Sequence, residues 1–292
     1  MDKMKGIYPA LITPFCEDGS ISQGAMEQLI ERNLEKGVAG FYVGGSTGES
    51  YLLSMEERKD LIKRVTGIIN GRAKVIANIG VFATCHGIEM AKAAESMGVD
   101  AVSAVPPFYF KFSAQELADY YNDIARAVSV PMIIYNIPAM SGVSFSTQQI
   151  DKMFKNENIG GMKHTSYDLF QMERVIAKYP DKTIFIGHDE IFLSAFAAGA
   201  EAAIGSTFNF MAEKFIKIAE LHKSGRQQEA LAVQDEANRI LEVLTEIGVF
   251  KGIKAALKMQ GISCGVCRKP FRPLEEEQTT RLRNIMEETG CL

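Results

Sequence analysis

Lys163 is the residue whose surroundings demand chemistry. It lies in Ile159-Gly-Gly-Met-Lys-His164, a short apolar run of strand character. Lysine rarely enters such surroundings without a partner or a task. No carboxylate lies within four residues of it in sequence. Taking an amine out of water weakens its charged form. The neutral amine is a nucleophile toward a carbonyl carbon, which is Schiff-base chemistry. Taken alone, the residue reads more simply as a lysine snorkelling from a strand end or paired with a remote acid.

Other polar groups fall at the ends of apolar runs. Gly44-Gly-Ser-Thr-Gly-Glu49 lets backbone N–H groups turn toward an anion, and Ser46 and Thr47 add hydroxyl donors. A carboxylate suits that cradle, although a plain turn reads equally well. No Lys-Ser/Thr pair follows, so it is not a P-loop. Tyr135-Asn-Ile-Pro138 offers a phenol that, from the strand beside that of Lys163, reaches its amine or is merely satisfied. Alternation along a strand puts Thr165 on the side of Lys163, with Met162 and His164 on the other, so His164 reads as packed. In Gly187-His-Asp-Glu190, Asp189 and Glu190 suit a polyhydroxylated substrate. A metal would need ligands from other strands, and helix capping is the plainer use. Gly205-Ser-Thr207 brings Ser206, or another cap.

These positions need elements to hold them. Strand-like runs alternate with helical periodicity from end to end. Strands are predicted at 6–15, 40–43, 74–79, 101–105, 131–135, 159–163, 183–187 and 202–205. Helices are predicted at 22–36, 54–69, 84–98, 113–128, 146–154, 169–179, 191–199 and 212–223. Ser54/Glu57 and Ser113/Glu116 have capping-box spacing. Eight short, apolar strands, each followed by a helix, predict an α/β fold, a (β/α)8 barrel over residues 1–225. A doubly wound sheet would carry a glycine-rich turn after its first strand, where Pro14-Phe-Cys-Glu-Asp-Gly19 stands instead. Residues 226–292 change pattern. Helices at 227–247, 250–259 and 274–288 without intervening strands predict a helical extension packed on the barrel. The polar groups above then gather at the C-terminal ends of the strands, where barrel chemistry sits.

Composition narrows the partners. The 292 residues are 47% apolar and 23% charged, as in globular proteins, and carry a net charge of −4 with no basic block. Nucleic acid and anionic membrane are therefore poor partners. Met1 to Gly6 starts no signal-peptide apolar region, and no run of about 18 apolar residues occurs. The five cysteines, 16, 85, 264, 267 and 291, are scattered and odd in number, which suits reduced thiols and a cytoplasmic location. Cys264-Gly-Val-Cys267 is a lone pair without further metal ligands or a thioredoxin-like context.

Four segments, in this order and spacing, resemble the N-acetylneuraminate lyase / dihydrodipicolinate synthase family of barrel aldolases. They are Gly44-Gly-Ser-Thr-Gly-Glu49, Tyr135-Asn-Ile-Pro138, Gly161-Met-Lys-His-Thr165 and Ala203-Ile-Gly-Ser-Thr207. The likeness runs to Cys267-Arg-Lys-Pro-Phe271. The doubled glycine before Ser46 and the Gly-His-Asp-Glu segment lean toward the sialic-acid branch. Met140 stands where the synthase branch typically has an arginine.

The resemblance implies a class I aldolase that splits sialic acid reversibly to N-acetylmannosamine and pyruvate. It implies Lys163 as the imine-forming residue and Tyr135 as the proton carrier. Ser46 and Thr47 would hold the carboxylate. Thr165, Gly187, Asp189, Glu190 and Ser206 would hold the hydroxylated tail. Tyr109 matches a position near the site, sometimes across a subunit contact. No metal or cofactor and a homotetramer are further implications. Another pyruvate-dependent aldolase or dehydratase acting on a 2-keto-3-deoxy sugar acid, dihydrodipicolinate synthase included, is the nearest alternative. A non-catalytic sugar-acid-binding barrel is the more distant one.

Overall fold

The computed structural model describes residues 3–292. Met1 and Asp2, the first residues of the stretch read for a signal peptide and of the predicted barrel range, lie outside the described residues. Eight strands run β1 Gly6–Pro9, β2 Gly40–Val43, β3 Lys74–Asn78, β4 Ala101–Ala104, β5 Met132–Asn136, β6 Ile159–His164, β7 Thr183–Ile186 and β8 Ala202–Gly205. All pairings are parallel, in the order β1-β8-β7-β6-β5-β4-β3-β2. A parallel bridge between Ala10 and Tyr42 joins the two ends of that order. Leu11 N donates to Tyr42 O at 2.8 Å there. This is a (β/α)8 barrel.

Side-chain alternation splits the core in two. One layer, with Met162, Ile134 and Phe41, packs between strands and helices. The other fills the barrel lumen with Tyr8, Tyr42, Ile133, Tyr135, Phe185 and Ile204. Gly161 of β6 answers a need for space: a Cβ there would stand 2.0 Å from Thr183 O.

Local signals act as expected at several helix starts. Ser54 Oγ accepts from Glu57 N at 3.2 Å while Ser54 N donates to the Glu57 carboxylate at 2.8 Å. Ser113 and Glu116 repeat this reciprocal cap. Boundaries differ elsewhere. The first strand stops at Pro9 rather than residue 15: Ala10 makes a single bridge to Tyr42 of β2, Ile12 N turns to Asn209 Oδ1 at 3.1 Å, and Phe15 bridges Ile21. The helix expected at 212 begins at Phe208, with a break in helical geometry at Met211. A four-residue helix, Pro138–Ser141, had no periodic signal to betray it.

After β8 come helix Phe208–Lys223 and then helices Gln227–Ile247, Val249–Met259 and Glu276–Glu288. No helix among the described residues is long and apolar enough to cross a membrane.

Candidate active site

β6 places Lys163 with its neighbours in register: Tyr135 on β5 on one side and Phe185 on β7 on the other. Both neighbours belong to the lumen layer, so the lysine points inward with them. Lys163 is only 4% exposed. Its Nζ lies 4.0 Å from the centre of the Tyr135 ring and 4.8 Å from that of Tyr42. It enters no ion pair among the described residues, unlike the buried Lys254, whose ammonium meets Glu49 at 2.8 Å. The amine is therefore walled by aromatic faces rather than neutralised by an acid.

The two tyrosines meet edge to face with centroids 5.9 Å apart. Tyr42 donates to Ser103 Oγ at 3.1 Å, and burial, with Tyr135 adding to it, pushes its phenol well above the ordinary range. Tyr42 is thus a fixed neutral wall, and Tyr135 is the phenol of the pair that lines the cavity.

That cavity, of about 840 Å³, opens at the C-terminal ends of the strands. Its size suits a small organic ligand. The residues given catalytic or substrate-binding roles in the sequence all line it, Tyr109 apart: Lys163, Tyr135, Ser46, Thr47, Thr165, Gly187, Asp189, Glu190 and Ser206. The loop after β2 and the end of β8 touch directly, through Thr47 Oγ1 and Ser206 Oγ at 2.7 Å. A second cavity, of about 230 Å³, lies at the other end of the barrel around Pro131 and Thr183, and holds none of these candidates.

Gly187 is fixed by crowding. A Cβ there would stand 1.9 Å from Thr165 Oγ1 and 3.1 Å from Lys163 Cε. Thr165 Oγ1 is buried without a hydrogen-bond partner among the described residues, a donor left for whatever fills the cavity.

The two acids differ sharply. Asp189 is buried, and its Oδ2 accepts from Thr207 N at 2.9 Å and Thr207 Oγ1 at 2.7 Å. Burial raises its carboxyl from 3.8 to about 6, with Thr207 and Lys163 pulling the other way and Glu190 adding to the rise. Burial would also raise Glu190, but hydrogen bonds from His188 and Tyr167 outweigh it and hold that carboxyl at about 2. Divergent environments of this kind give neighbouring carboxylates different tasks. Asp189 braces the end of β8, and Glu190 remains a charged acceptor. Among the described residues no three His, Cys, Asp or Glu side chains gather as metal ligands.

His164 faces the outer wall and is fully buried. Its Nε2–H donates to Asp168 O at 3.1 Å, and burial lowers its basicity, so it is a neutral packed histidine as expected. Cys264 and Cys267 are buried, and burial pushes both thiols up to about 12, which leaves them unreactive. Tyr109 is 76% exposed and lies outside the cavity of its own chain, packed edge-on to Phe110.

Sequence reasoning missed three groups of residues. Tyr42 looked like ordinary strand core. Tyr167 sat in an unremarked loop. Asn238, Leu241, Glu242, Thr245, Phe250 and Lys251 form the far wall of the cavity from the helices after β8. Only the chain's return path brings them there, so no local pattern marks them. The same return path ties down the carboxylate cradle. Glu49 ends that loop in left-handed backbone, φ 58°. Its Oε2 accepts from Arg268 N at 2.7 Å, and Lys254 lies 2.8 Å from Oε1, donating to Val266 O.

A closed parallel barrel whose strand C-termini bring a buried lysine, a phenol, two acids and several hydroxyls to one cavity defines a (β/α)8 barrel enzyme. The chain belongs to the dihydrodipicolinate synthetase family, which it matches over residues 3–289. It is 41% identical over 284 residues to the N-acetylneuraminate lyase of Rhizobium meliloti (strain 1021), covering 97% of this chain and 95% of that one. The crystal structure of CdNal from Clostridium difficile in complex with mannosamine superposes with a TM-score of 0.95 at 38% identity, covering 99% of this chain and 100% of that one. The N-acetylneuraminate lyase of Fusobacterium nucleatum complexed with pyruvate gives 0.93 at 38% identity, covering 98% and 97%.

Proposed function

We propose that this chain is a class I aldolase that splits N-acetylneuraminate reversibly into N-acetylmannosamine and pyruvate through an imine on Lys163. The observation that carries the reading is the lysine itself. It is buried in the lumen, free of ion pairs among the described residues, and faced by a phenol ring at 4.0 Å. The names of the relatives, and the mannosamine and pyruvate in two of their structures, support the substrate and product.

The open-chain keto acid enters with its carboxylate on Ser46 and Thr47. The Lys163 amine attacks the ketone carbon, and water leaves as the iminium forms. The iminium is an electron sink. When the C4 hydroxyl loses its proton, the C3–C4 bond breaks, the aldehyde of the amino sugar departs, and the electron pair becomes the enamine of pyruvate. Protonation at C3 and addition of water then release pyruvate and restore the amine. Tyr135 carries the proton, helped by the positive iminium beside its ring. Thr165, Gly187, Asp189, Glu190 and Ser206 hold the hydroxylated tail. Because the imine supplies the electron sink, the cycle needs neither metal nor cofactor.

We extend the reading to a cytoplasmic homotetramer. Phe82, Tyr109, Phe110 and Phe112 form an exposed aromatic ridge that suits contact with another copy.

The test is chemical trapping. Incubation with pyruvate, reduction with borohydride and digestion should put the added mass on the peptide holding Lys163. No adduct, or one elsewhere, refutes the assignment. Pyruvate release from N-acetylneuraminate rather than from 2-keto-3-deoxygluconate then separates this activity from a sister aldolase.

A further inference from the structure

Two residues that line the cavity, Tyr167 and His188, have no part in the cycle above. Tyr167, in the loop after β6, is 67% exposed. It nevertheless lies flat on His188, with ring centroids 4.4 Å apart and planes 13° from parallel. Its hydroxyl donates to Glu190 Oε1 at 2.6 Å. His188 Nδ1 reaches the same oxygen at 3.0 Å. The other carboxylate oxygen has no side-chain partner among the described residues. The backbone of Glu190 is held from the far wall, where Asn238 Nδ2 donates to its carbonyl at 3.1 Å.

We propose that Tyr167 and His188 are positioning residues that occupy one oxygen of Glu190 and present the other to hydroxyls at the far end of the substrate's polyol chain. This deepens the functional reading above and rests on it. A free glutamate side chain samples several rotamers, and binding a hydroxyl to it would cost the ordering of that chain. Two donors on Oε1 do that ordering beforehand. The stack supplies the rigidity, since neither ring turns without breaking the other's contact. A carboxylate bound through one oxygen offers the other as an acceptor only, so the site selects a donor, which a sugar hydroxyl is and an ether or ester oxygen is not. Selection falls on the tail and not on the keto-acid end, because Glu190 stands at the β7 end of the cavity and the carboxylate cradle is the loop after β2.

The full chain is tested as Tyr167→Phe, His188→Phe and the double variant, which keep two stacked rings while removing one or both donors. KM for N-acetylneuraminate should rise about 2- to 12-fold for each single change, the worth of one hydrogen bond. The kcat should hold. Half-saturation for pyruvate trapping on Lys163 should not move, and KM for a tail-truncated analogue should stay as in the parent. An equal rise for intact and truncated substrates, or no rise for either, overturns the clamp. A loss of pyruvate trapping in the variants overturns it too, since the effect would then be general damage. A parent enzyme that traps pyruvate but leaves N-acetylneuraminate unsplit overturns the functional reading together with the clamp. A working parent with unaltered variants overturns the clamp alone.

Discussion

Replacing Lys254 by methionine should unfold this protein at a markedly lower temperature. The change keeps most of the stem's volume and deletes the ammonium. The Lys254 and Glu49 side chains are 2% and 0% exposed, with their charged atoms 2.8 Å apart. Lys254 also rides over the Phe15 ring at 4.3 Å. In the variant Glu49 retains the Arg268 N–H at 2.7 Å, but its charge is buried without a counter-ion. Breaking a buried pair from one side costs about 3–5 kcal/mol. At roughly 2–4 °C per kcal/mol for a chain of this size, the midpoint should fall by roughly 6–20 °C. Glu49→Gln together with Lys254→Met leaves no lone charge and should recover most of the loss. Glu49 follows Thr47 closely, so the single variant should also weaken pyruvate binding. Thermal and urea unfolding of the parent, both single variants and the double variant measure the energies. A Lys254→Met melting point within about 2 °C of the parent, or a double variant as unstable as the sum of the singles, would refute the reasoning.

Tyr135→Phe should lower turnover by about 10² or more while imine trapping persists, because it removes a proton carrier and not the nucleophile. Turnover within a few-fold of the parent rules that out. Gly187→Ala forces a Cβ to 1.9 Å from Thr165 Oγ1. It should cost about 1–3 kcal/mol in urea titrations and abolish trapping, and Thr165→Ala in the same chain should restore part of the stability. A neutral substitution there would contradict the geometry. Asp189 makes stability depend on pH. Its carboxyl is raised from 3.8 to about 6, so over that window the unfolded chain gives up a proton that the folded one keeps. Stability therefore falls as pH rises through the window and levels above it. The melting point of Asp189→Asn relative to the parent should improve from pH 4 to pH 6, about the span of the shift; the opposite trend would sink the argument.

Much of the barrel was legible because its strands are short apolar runs and its helices carry caps at fixed spacing. Ser54 with Glu57 needed no tertiary information. The error at residues 10–15 has a physical source: the segment is mostly apolar because it is buried, yet past the single bridge of Ala10 to Tyr42 it is not buried by extending a ladder. Lys163 could be found because a charge in an apolar strand is anomalous by itself. Tyr135 could be placed beside it only through strand order, which the repeat of strands and helices supplies. The far wall was invisible. Phe250 and Lys251 meet the cavity through the fold of the last helices, and Tyr167 is an exposed aromatic whose importance lies in the stack that it makes. The Glu49–Lys254 pair joins residues remote in sequence, and neither carries a local mark of its partner.

Helix Val249–Met259 presents Phe250 to the ligand cavity and, one turn on, Lys254 to the loop that ends in Glu49. A few residues beyond it, Arg268 grips Glu57 with one guanidinium nitrogen at 2.9 Å and the carbonyl of Leu52 with the same atom. Specificity and scaffold are thereby soldered into one strip of polypeptide. A designer who transplants the last helices from a sister barrel to change substrate preference imports new partners for Glu49 and Glu57 as well. Such chimaeras should succeed only when the front loop travels with the tail.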